Sequence, residues 1–135
     1  MKARPKPGTP GELRFTVEQQ HVIEFACDGM PAVLSTPNLI GLLERTARES
    51  LYPFLEMEER SVGMEIEVRH LAPSPLGARV TCSTRVIGSE GNTVTFTLEA
   101  RDEHEVILRG LHKRGIIRVA SFSRRLARKG GPPAA

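Results

Sequence analysis

One histidine of this chain closes a stretch of otherwise apolar alternate side chains, and its position suits it for chemistry. In a β-strand, side chains two positions apart share a face. The residues that share a face with His70 are all apolar: Met64, Ile66 and Val68. A buried imidazole without a hydrogen bond costs about 1–3 kcal/mol, so His70 must find a partner or serve as a site.

Two polar residues of a predicted helix are candidate partners for this histidine. Thr36 and Pro37 are typical of a helix start, because threonine caps free N–H groups and proline fits the first position, and we predict a helix from about Pro37 to Tyr52. Glu44 lies in an apolar stripe of this helix. A hydroxyl, a carboxylate and an imidazole that meet in one pocket suit acyl transfer or hydrolysis. The simpler alternatives are a helix cap for Thr36 and an ion pair with Arg48 for Glu44.

The remaining pattern predicts one strand before the helix and four after it. The predicted strands are Phe15–Phe25, Val62–Leu71, Ala78–Ile87, Thr93–Ala100 and Val106–Val119. Gly110 and Gly115 indicate bends or bulges in the last strand. Apolar residues cover more than one stripe of the helix, which predicts that the helix is buried on most sides.

One helix among antiparallel strands is the α+β pattern of the hot-dog fold, in which a curved sheet wraps around a long central helix. Such a sheet has exposed edges, and pairing of two subunits covers one of them. We therefore expect a homodimer, with a tetramer as a further possibility. We divide the chain into a flexible segment (1–12), a hot-dog domain (13–122) and a basic tail rich in glycine and proline (123–135).

The composition excludes several classes of protein. The 135 residues are 39% hydrophobic and 26% charged, which is typical of one globular domain. No apolar run approaches the roughly 18 residues of a membrane helix, and no apolar segment follows the basic N-terminus as in a secretory signal, so we expect a cytoplasmic protein. Cys27 and Cys82 form no metal or disulfide pattern and are expected to be small buried residues. No metal and no cofactor is predicted.

Charge is distributed unevenly along the chain. From Pro7 to Glu105 there are 8 Lys/Arg and 16 Asp/Glu, and after Glu105 there are 8 Lys/Arg and no acidic residue. The cations towards the C-terminus include Arg118, Arg124, Arg125, Arg128 and Lys129. They can attract phosphates of nucleic acid or of a phosphorylated cofactor, or they form a solvated tail. Since only 4% of residues are aromatic, stacking surfaces for nucleic acid are few.

Several short motifs follow one another in a fixed order. Thr36 and Glu44 are eight residues apart, and a Ser-x-Gly motif that ends at Gly63 precedes the strand that ends at His70. A Gly-x-His-x-Arg motif covers residues 110–114. With these motifs, the segment from about 33 to 122 resembles the hot-dog thioesterases of the fluoroacetyl-CoA thioesterase type.

The resemblance implies an acyl-CoA thioesterase whose catalytic set is Thr36, Glu44 and His70. In such an enzyme Glu44 attacks the thioester carbonyl or activates water, and His70 takes up and returns protons. The residues implied on the oxyanion side and in substrate binding are Gly63, His112 and Arg114.

The loop before the helix predicts the substrate range. Phenylalanines gate the pocket in the specialised family member, whereas Cys27 and Met30 occupy the aligned positions here. We therefore expect a short or medium acyl group, in a pocket whose length depends on Met30, Val33 and Leu34. The competing interpretations are a hot-dog protein that binds acyl-CoA without hydrolysing it and, with less support, a nucleic-acid-binding protein with a basic tail.

Overall fold

The computed structural model describes residues 1–132, and its core is a five-stranded antiparallel sheet packed on one helix. The elements are β1 (Pro10–Thr16), α1 (Thr36–Leu51), β2 (Glu59–His70), β3 (Arg79–Glu90), β4 (Thr93–Arg101), β5 (Val106–Arg118) and α2 (Val119–Arg128). The strand order is β1-β3-β4-β5-β2, so the sheet is open and β1 and β2 are its edges. No helix in the described part of the chain is long and apolar enough to cross a membrane.

The first strand differs from the sequence prediction. The segment Phe15–Phe25 was expected to be one strand, but β1 lies earlier and pairs with β3. A 3-10 turn at Gln19–His21 follows, in which the N–H of Glu18 donates to His21 Nδ1 at 2.9 Å. This turn takes the chain out of the sheet, and Phe25 is exposed. The alternation of apolar and polar residues does not predict such a turn, because the turn depends on a hydrogen bond to a side chain.

The four later strands form where the sequence predicts them, but the bulges lie elsewhere. The register shifts at Met64 in β2, Ile87 in β3 and Ile107 in β5, whereas Gly110 and Gly115 pair in regular register. Of the predicted bends or bulges at these glycines, bulges are therefore wrong. A side chain at Gly110 would overlap the backbone of β2, so glycine there allows close approach of two strands.

Helix α1 begins one residue earlier than predicted and has a different cap. Ser35, not Thr36, is the N-cap, and its hydroxyl accepts a hydrogen bond from the N–H of Asn38 at 3.2 Å. One face of α1 packs on the sheet through Leu39, Leu43, Ala47 and Leu51. The opposite face is exposed, so the prediction that the helix is buried on most sides is wrong for this chain.

The ends of the chain are more ordered than their composition suggests. β1 begins within the segment 1–12 that was predicted to be flexible, and the N–H of Lys2 donates to the carbonyl of Phe54 at 2.8 Å. At the other end, the chain is helical up to Arg128, so α2 includes the first half of the predicted tail. Residues 133–135 of that tail lie outside the described residues.

The two cysteines have opposite environments. Cys82 is buried in β3, and burial raises the pKa of its thiol to about 12. Cys27 lies in the loop before α1 and is exposed, so the prediction that both are buried is wrong for Cys27. Val22 returns to the core after the turn and forms a bridge with Leu34, and Cys27 lies in the loop between these two residues.

Candidate active site

The start of α1 and the end of β2 bring together a hydroxyl and an imidazole. Because Ser35 caps the helix, the Thr36 hydroxyl is free, and its Oγ1 lies 2.7 Å from His70 Nδ1. His70 Nε2 is buried and has no hydrogen-bond partner among the described residues. Burial disfavours the imidazolium and lowers the pKa of His70 below its ordinary value. The neutral ring, with one nitrogen ready to exchange a proton, is therefore the favoured form.

A second cluster forms around Arg114 in β5, whose side chain is only 4% exposed. Its Nε donates to Ser61 Oγ at 2.8 Å and its Nη2 donates to the Ser61 carbonyl at 3.0 Å. The remaining nitrogen, Nη1, lies 3.4 Å from Glu44 Oε2. The partner of Glu44 is therefore Arg114 and not Arg48. The Glu44 side chain is 41% exposed, so its carboxylate is held by a buried cation and still reaches solvent.

His112 is the third side chain that contacts Arg114. The Nη1 of Arg114 donates to His112 Nε2 at 3.2 Å, and His112 Nδ1 lies 2.8 Å from the carbonyl of Glu65. Since arginine always donates, Nε2 accepts and the proton is on Nδ1, which makes the ring neutral. Burial, aided by the charge of Arg114, lowers the pKa of His112. At 1% exposure, His112 supports Arg114 and is closed to solvent.

Gly63 lies directly against the Glu44 carboxylate. A Cβ at this position would overlap Glu44 Oε2, so a larger residue in β2 would displace the carboxylate. The bulge at Met64 follows at once. Together with Glu65, Ile66 and His112, these residues border an open depression of about 260 Å³. The Glu44 carboxylate thus lies beside the backbone of Gly63 in a depression that is open to solvent.

The three residues of the predicted catalytic set do not meet within one chain, because Glu44 lies apart from Thr36 and His70. Thr36 and Glu44 are separated by eight positions of α1, which is about 12 Å along the helix axis. Gly63 and His70 are separated by seven positions of β2, which is about 23 Å along a strand. Thr36 contacts His70 and Glu44 contacts Arg114, so the carboxylate and the imidazole lie near opposite halves of the same edge strand.

A family model described as fluoroacetyl-CoA-specific thioesterase, FlK, matches residues 17–120. The chain belongs to this thioesterase family. A fluoroacetyl-CoA thioesterase from Streptantibioticus cattleyicolor is 32% identical over 106 residues, which are 78% of this chain and 75% of that protein. The predictions of a thioester hydrolase and of this family are thereby confirmed.

Solved structures show the same fold. The structure of the fluoroacetyl-CoA thioesterase FlK is 28% identical, with a TM-score of 0.86 over 96% of this chain and 100% of that one. A hot-dog-like protein from Thermanaerovibrio acidaminovorans is 26% identical, with a TM-score of 0.87 over 95% of both chains. The predicted hot-dog fold is confirmed, as an open sheet packed on a helix.

The three loop residues that are predicted to set the substrate range of this thioesterase differ in burial. Met30 is exposed and Val33 is half-buried, where it forms a bridge with Pro75. Leu34 belongs to the core, and its N–H donates to the carbonyl of Ser74 at 2.8 Å. In this conformation Leu34 faces the core, whereas Met30 and Val33 remain near the surface.

Sequence reasoning assigned no role to Ser61, although it opens the Ser-x-Gly motif. The structure shows that this serine holds Arg114 through both its hydroxyl and its carbonyl. The available signal was its spacing, since Ser61 and Gly63 share a face of β2 and pair with Ile116 and Arg114. The Ser-x-Gly motif thus contains both Ser61, which binds Arg114, and Gly63, which leaves space for the Glu44 carboxylate.

Proposed function

We propose that this thioesterase hydrolyses acyl-CoA with Thr36, Glu44 and His70, in a site that two copies of the chain share. The observation that supports this most strongly is that Glu44 lies apart from Thr36 and His70 within one chain. Thr36 and His70 meet at the end of β2, whereas Glu44 lies beside Gly63 nearer its start. One copy alone cannot bring the carboxylate to the imidazole.

The edge of β2 offers the surface that joins two copies. β2 pairs with β5 on one side only, and an unpaired edge is a template for another strand. Met64 and Ile66 on this strand are 59% and 37% exposed. Antiparallel pairing of two β2 strands about a twofold axis near Ile66 would place Gly63 close to His70 of the partner subunit. Each dimer would then contain two complete sites.

In such a site the residues divide the reaction between them. The thioester carbonyl lies over Gly63, whose backbone N–H faces the developing oxyanion. Glu44 either attacks the carbonyl carbon or removes a proton from an attacking water. The C–S bond then breaks and releases the CoA thiolate. When Glu44 is the base, neutral His70 accepts the proton that Glu44 took from the water and passes it to the thiolate. When Glu44 is the nucleophile, neutral His70 takes the proton from the water that hydrolyses the acyl-Glu44 anhydride and passes it to the thiolate. Thr36 orients the imidazole through its hydroxyl.

The substrate class follows from the relatives and from the loop. Solved structures of FlK variants are described as complexes with acetyl-CoA and with fluoroacetate and CoA, which supports an acyl-CoA substrate here. Cys27 and Met30 occupy the loop positions where the specialised enzyme has aromatic gates, so we propose a short or medium acyl chain. The exposed thiol of Cys27 favours a reducing compartment such as the cytoplasm.

Complementation between inactive variants tests the shared site. Glu44→Gln and His70→Ala should each lower acyl-CoA hydrolysis by about two orders of magnitude or more. When the two variants are mixed, unfolded and refolded together, mixed dimers contain one site with both native residues. The mixture should then recover about a quarter of the wild-type rate.

Two results would contradict this proposal. If the mixture stays as inactive as its components while light scattering shows a dimer, the carboxylate and the imidazole do not come from different copies. If either single variant hydrolyses an acyl-CoA panel at the wild-type rate, that residue is not catalytic. Single turnover in heavy-oxygen water separates the two routes, because label enters Glu44 only if the carboxylate is the nucleophile.

A further inference from the structure

Helix α2 carries a basic face that the rest of the fold does not neutralise. Arg124, Arg125 and Arg128 are exposed, and none of them takes part in the ion pairs found among the described residues. Arg118, at the N-cap of α2, pairs with Glu58 at 3.2 Å. Closely spaced cations that lack carboxylate partners attract an anionic ligand.

A cavity of about 500 Å³ lies between α2 and the end of the sheet. This volume is within the range of small-molecule sites, roughly 300–1,000 Å³. Its lining combines cationic, polar, apolar and aromatic groups: Arg118, Arg125, Asn92, Ser121, Ile116 and Phe122. Arg124 and Arg128 are not part of this lining.

One acidic residue also borders the cavity, and its charge is already compensated. Glu59 is buried, and its carboxylate accepts hydrogen bonds from the N–H of Glu56 at 2.9 Å and from the amino group of Met1 at 3.0 Å. These bonds contribute to the lowered pKa of Glu59. Arg125 is therefore the cation of this cavity that has no carboxylate partner among the described residues, and Arg118 would bind a ligand phosphate by exchanging its exposed pair with Glu58.

The cavity has a defined relationship to the candidate active site. Arg118 lies four positions beyond Arg114 on the same face of β5, which is about 13 Å along the strand. A ligand that reacts beside Gly63 and is held at Arg118 must therefore combine a reactive end and an anionic end joined by an extended arm. CoA thioesters have this arrangement, with the pantetheine arm between the thioester and a phosphorylated adenosine.

We propose that the nucleotide end of CoA binds in this cavity, with its phosphates at Arg118 and Arg125 and its adenine against Phe122. This inference rests on the proposed acyl-CoA hydrolysis and adds a residue set for the part of the substrate that does not react. An aromatic face and two guanidinium groups are suited to a nucleotide, because guanidinium groups bind phosphate bidentately and rings stack on bases.

A nucleic acid or a membrane would use α2 differently. A polyanion would contact all the arginines of the exposed basic face alike, including Arg124 and Arg128, which lie outside the cavity. A bilayer would need a broad apolar face, whereas the large apolar side chains that α2 exposes are only Val119 and Leu126, and Phe122 lines the cavity. The cavity therefore favours a nucleotide.

Two variants of the same helix separate these possibilities. Titration calorimetry with adenosine 3′,5′-bisphosphate on the full chain should show binding that Arg125→Gln weakens about tenfold or more. Arg128→Gln removes the same charge from the same helix but not from the cavity, and its affinity should stay within about twofold of wild type. The ratio of kcat/KM for acyl-CoA to that for acyl-pantetheine, which lacks the nucleotide, should fall about tenfold in Arg125→Gln only.

The outcomes distinguish this inference from the proposed function. Equal losses in the two variants, absence of nucleotide binding, or an unchanged substrate ratio in Arg125→Gln would overturn the nucleotide site even if thioesters are hydrolysed. Nucleotide binding that depends on Arg125 would support the site even if no acyl-CoA of the panel were hydrolysed. Salt-dependent retention of duplex DNA or of anionic vesicles that the nucleotide does not displace would also overturn it.

Discussion

The Nη1 of Arg114 lies between two acceptors, Glu44 Oε2 at 3.4 Å and His112 Nε2 at 3.2 Å. The other two nitrogens of the guanidinium are bound to Ser61, so each of its three nitrogens has a partner within the chain. With 4% exposure, this arginine has little surface for a substrate. Its geometry indicates a positioning role, in which β2 and β5 fix the carboxylate through a buried cation.

Replacing Arg114 by lysine tests that role. Lysine keeps the charge, but a single ammonium cannot bond Ser61, Glu44 and His112 in the same geometry. Hydrogen bonds to charged groups are worth about 1.5–3 kcal/mol, so kcat should fall about 10- to 100-fold, as measured by thiol release. Arg79→Lys is the control, because Arg79 forms an exposed ion pair with Glu103 at 3.3 Å. A wild-type kcat in Arg114→Lys would rule out positioning by this arginine.

Gly63→Ala should inactivate the enzyme without unfolding it. The added methyl group would overlap Glu44 Oε2, and Glu44 is exposed enough to move aside. Misplacement of a reacting group by about 1 Å costs about 100-fold in rate, whereas the melting temperature should change little. Gly88→Ala is a matched control in β3, where a Cβ meets nothing within 4 Å. Equal activity of the two variants would show that the Glu44 position is not required.

The value of kcat/KM should depend on pH through the protonation of His70, because only the neutral ring can accept a proton. Burial lowers the pKa of this imidazole from 6.5, so the ring stays unprotonated at neutral pH and gains a proton only in more acidic solution. We expect the rate to be constant from about pH 8 to about pH 6.5 and to decline below that. In His70→Gln the residual rate should lack this decline. A decline centred above pH 6.5 would contradict the assignment.

The turn between β4 and β5 should make stability depend on pH through Asp102. Burial alone would raise the pKa of this carboxyl, but bonds from the N–H groups of His104 and Glu105 and from the Ser74 hydroxyl, at 2.8–2.9 Å, hold it below the ordinary 3.8. The folded state therefore favours the carboxylate. Its contribution is complete above about pH 4 and is lost as the pH falls through the lowered value.

Asp102→Ala removes this contribution and leaves three donors without their acceptor. The free energy of unfolding at neutral pH should fall by about 1–3 kcal/mol or more, as measured by urea denaturation. Glu105→Gln changes an exposed neighbour and should stay within about 0.5 kcal/mol of wild type. If Asp102→Ala is as stable as Glu105→Gln, the turn does not depend on the buried carboxylate.

The sequence by itself determined the elements whose pattern is local. Alternation of apolar side chains set the four later strands, the threonine and proline pair set the start of α1 to within one residue, and His70 at the end of an apolar strand face was visible from spacing alone. The motifs indicated the family, because their chemically distinctive residues follow one another in a fixed order.

Only the tertiary structure decided how these residues meet. Ser35 caps α1, and this frees Thr36 for His70. Arg114, 70 positions away in the chain, replaces Arg48 as the partner of Glu44. The separation of Glu44 from Thr36 and His70 could not be read from the sequence either, because it depends on distances along α1 and along β2 together. Periodicity describes neighbours within one element, whereas pairing between distant strands and helices is decided by how their faces pack.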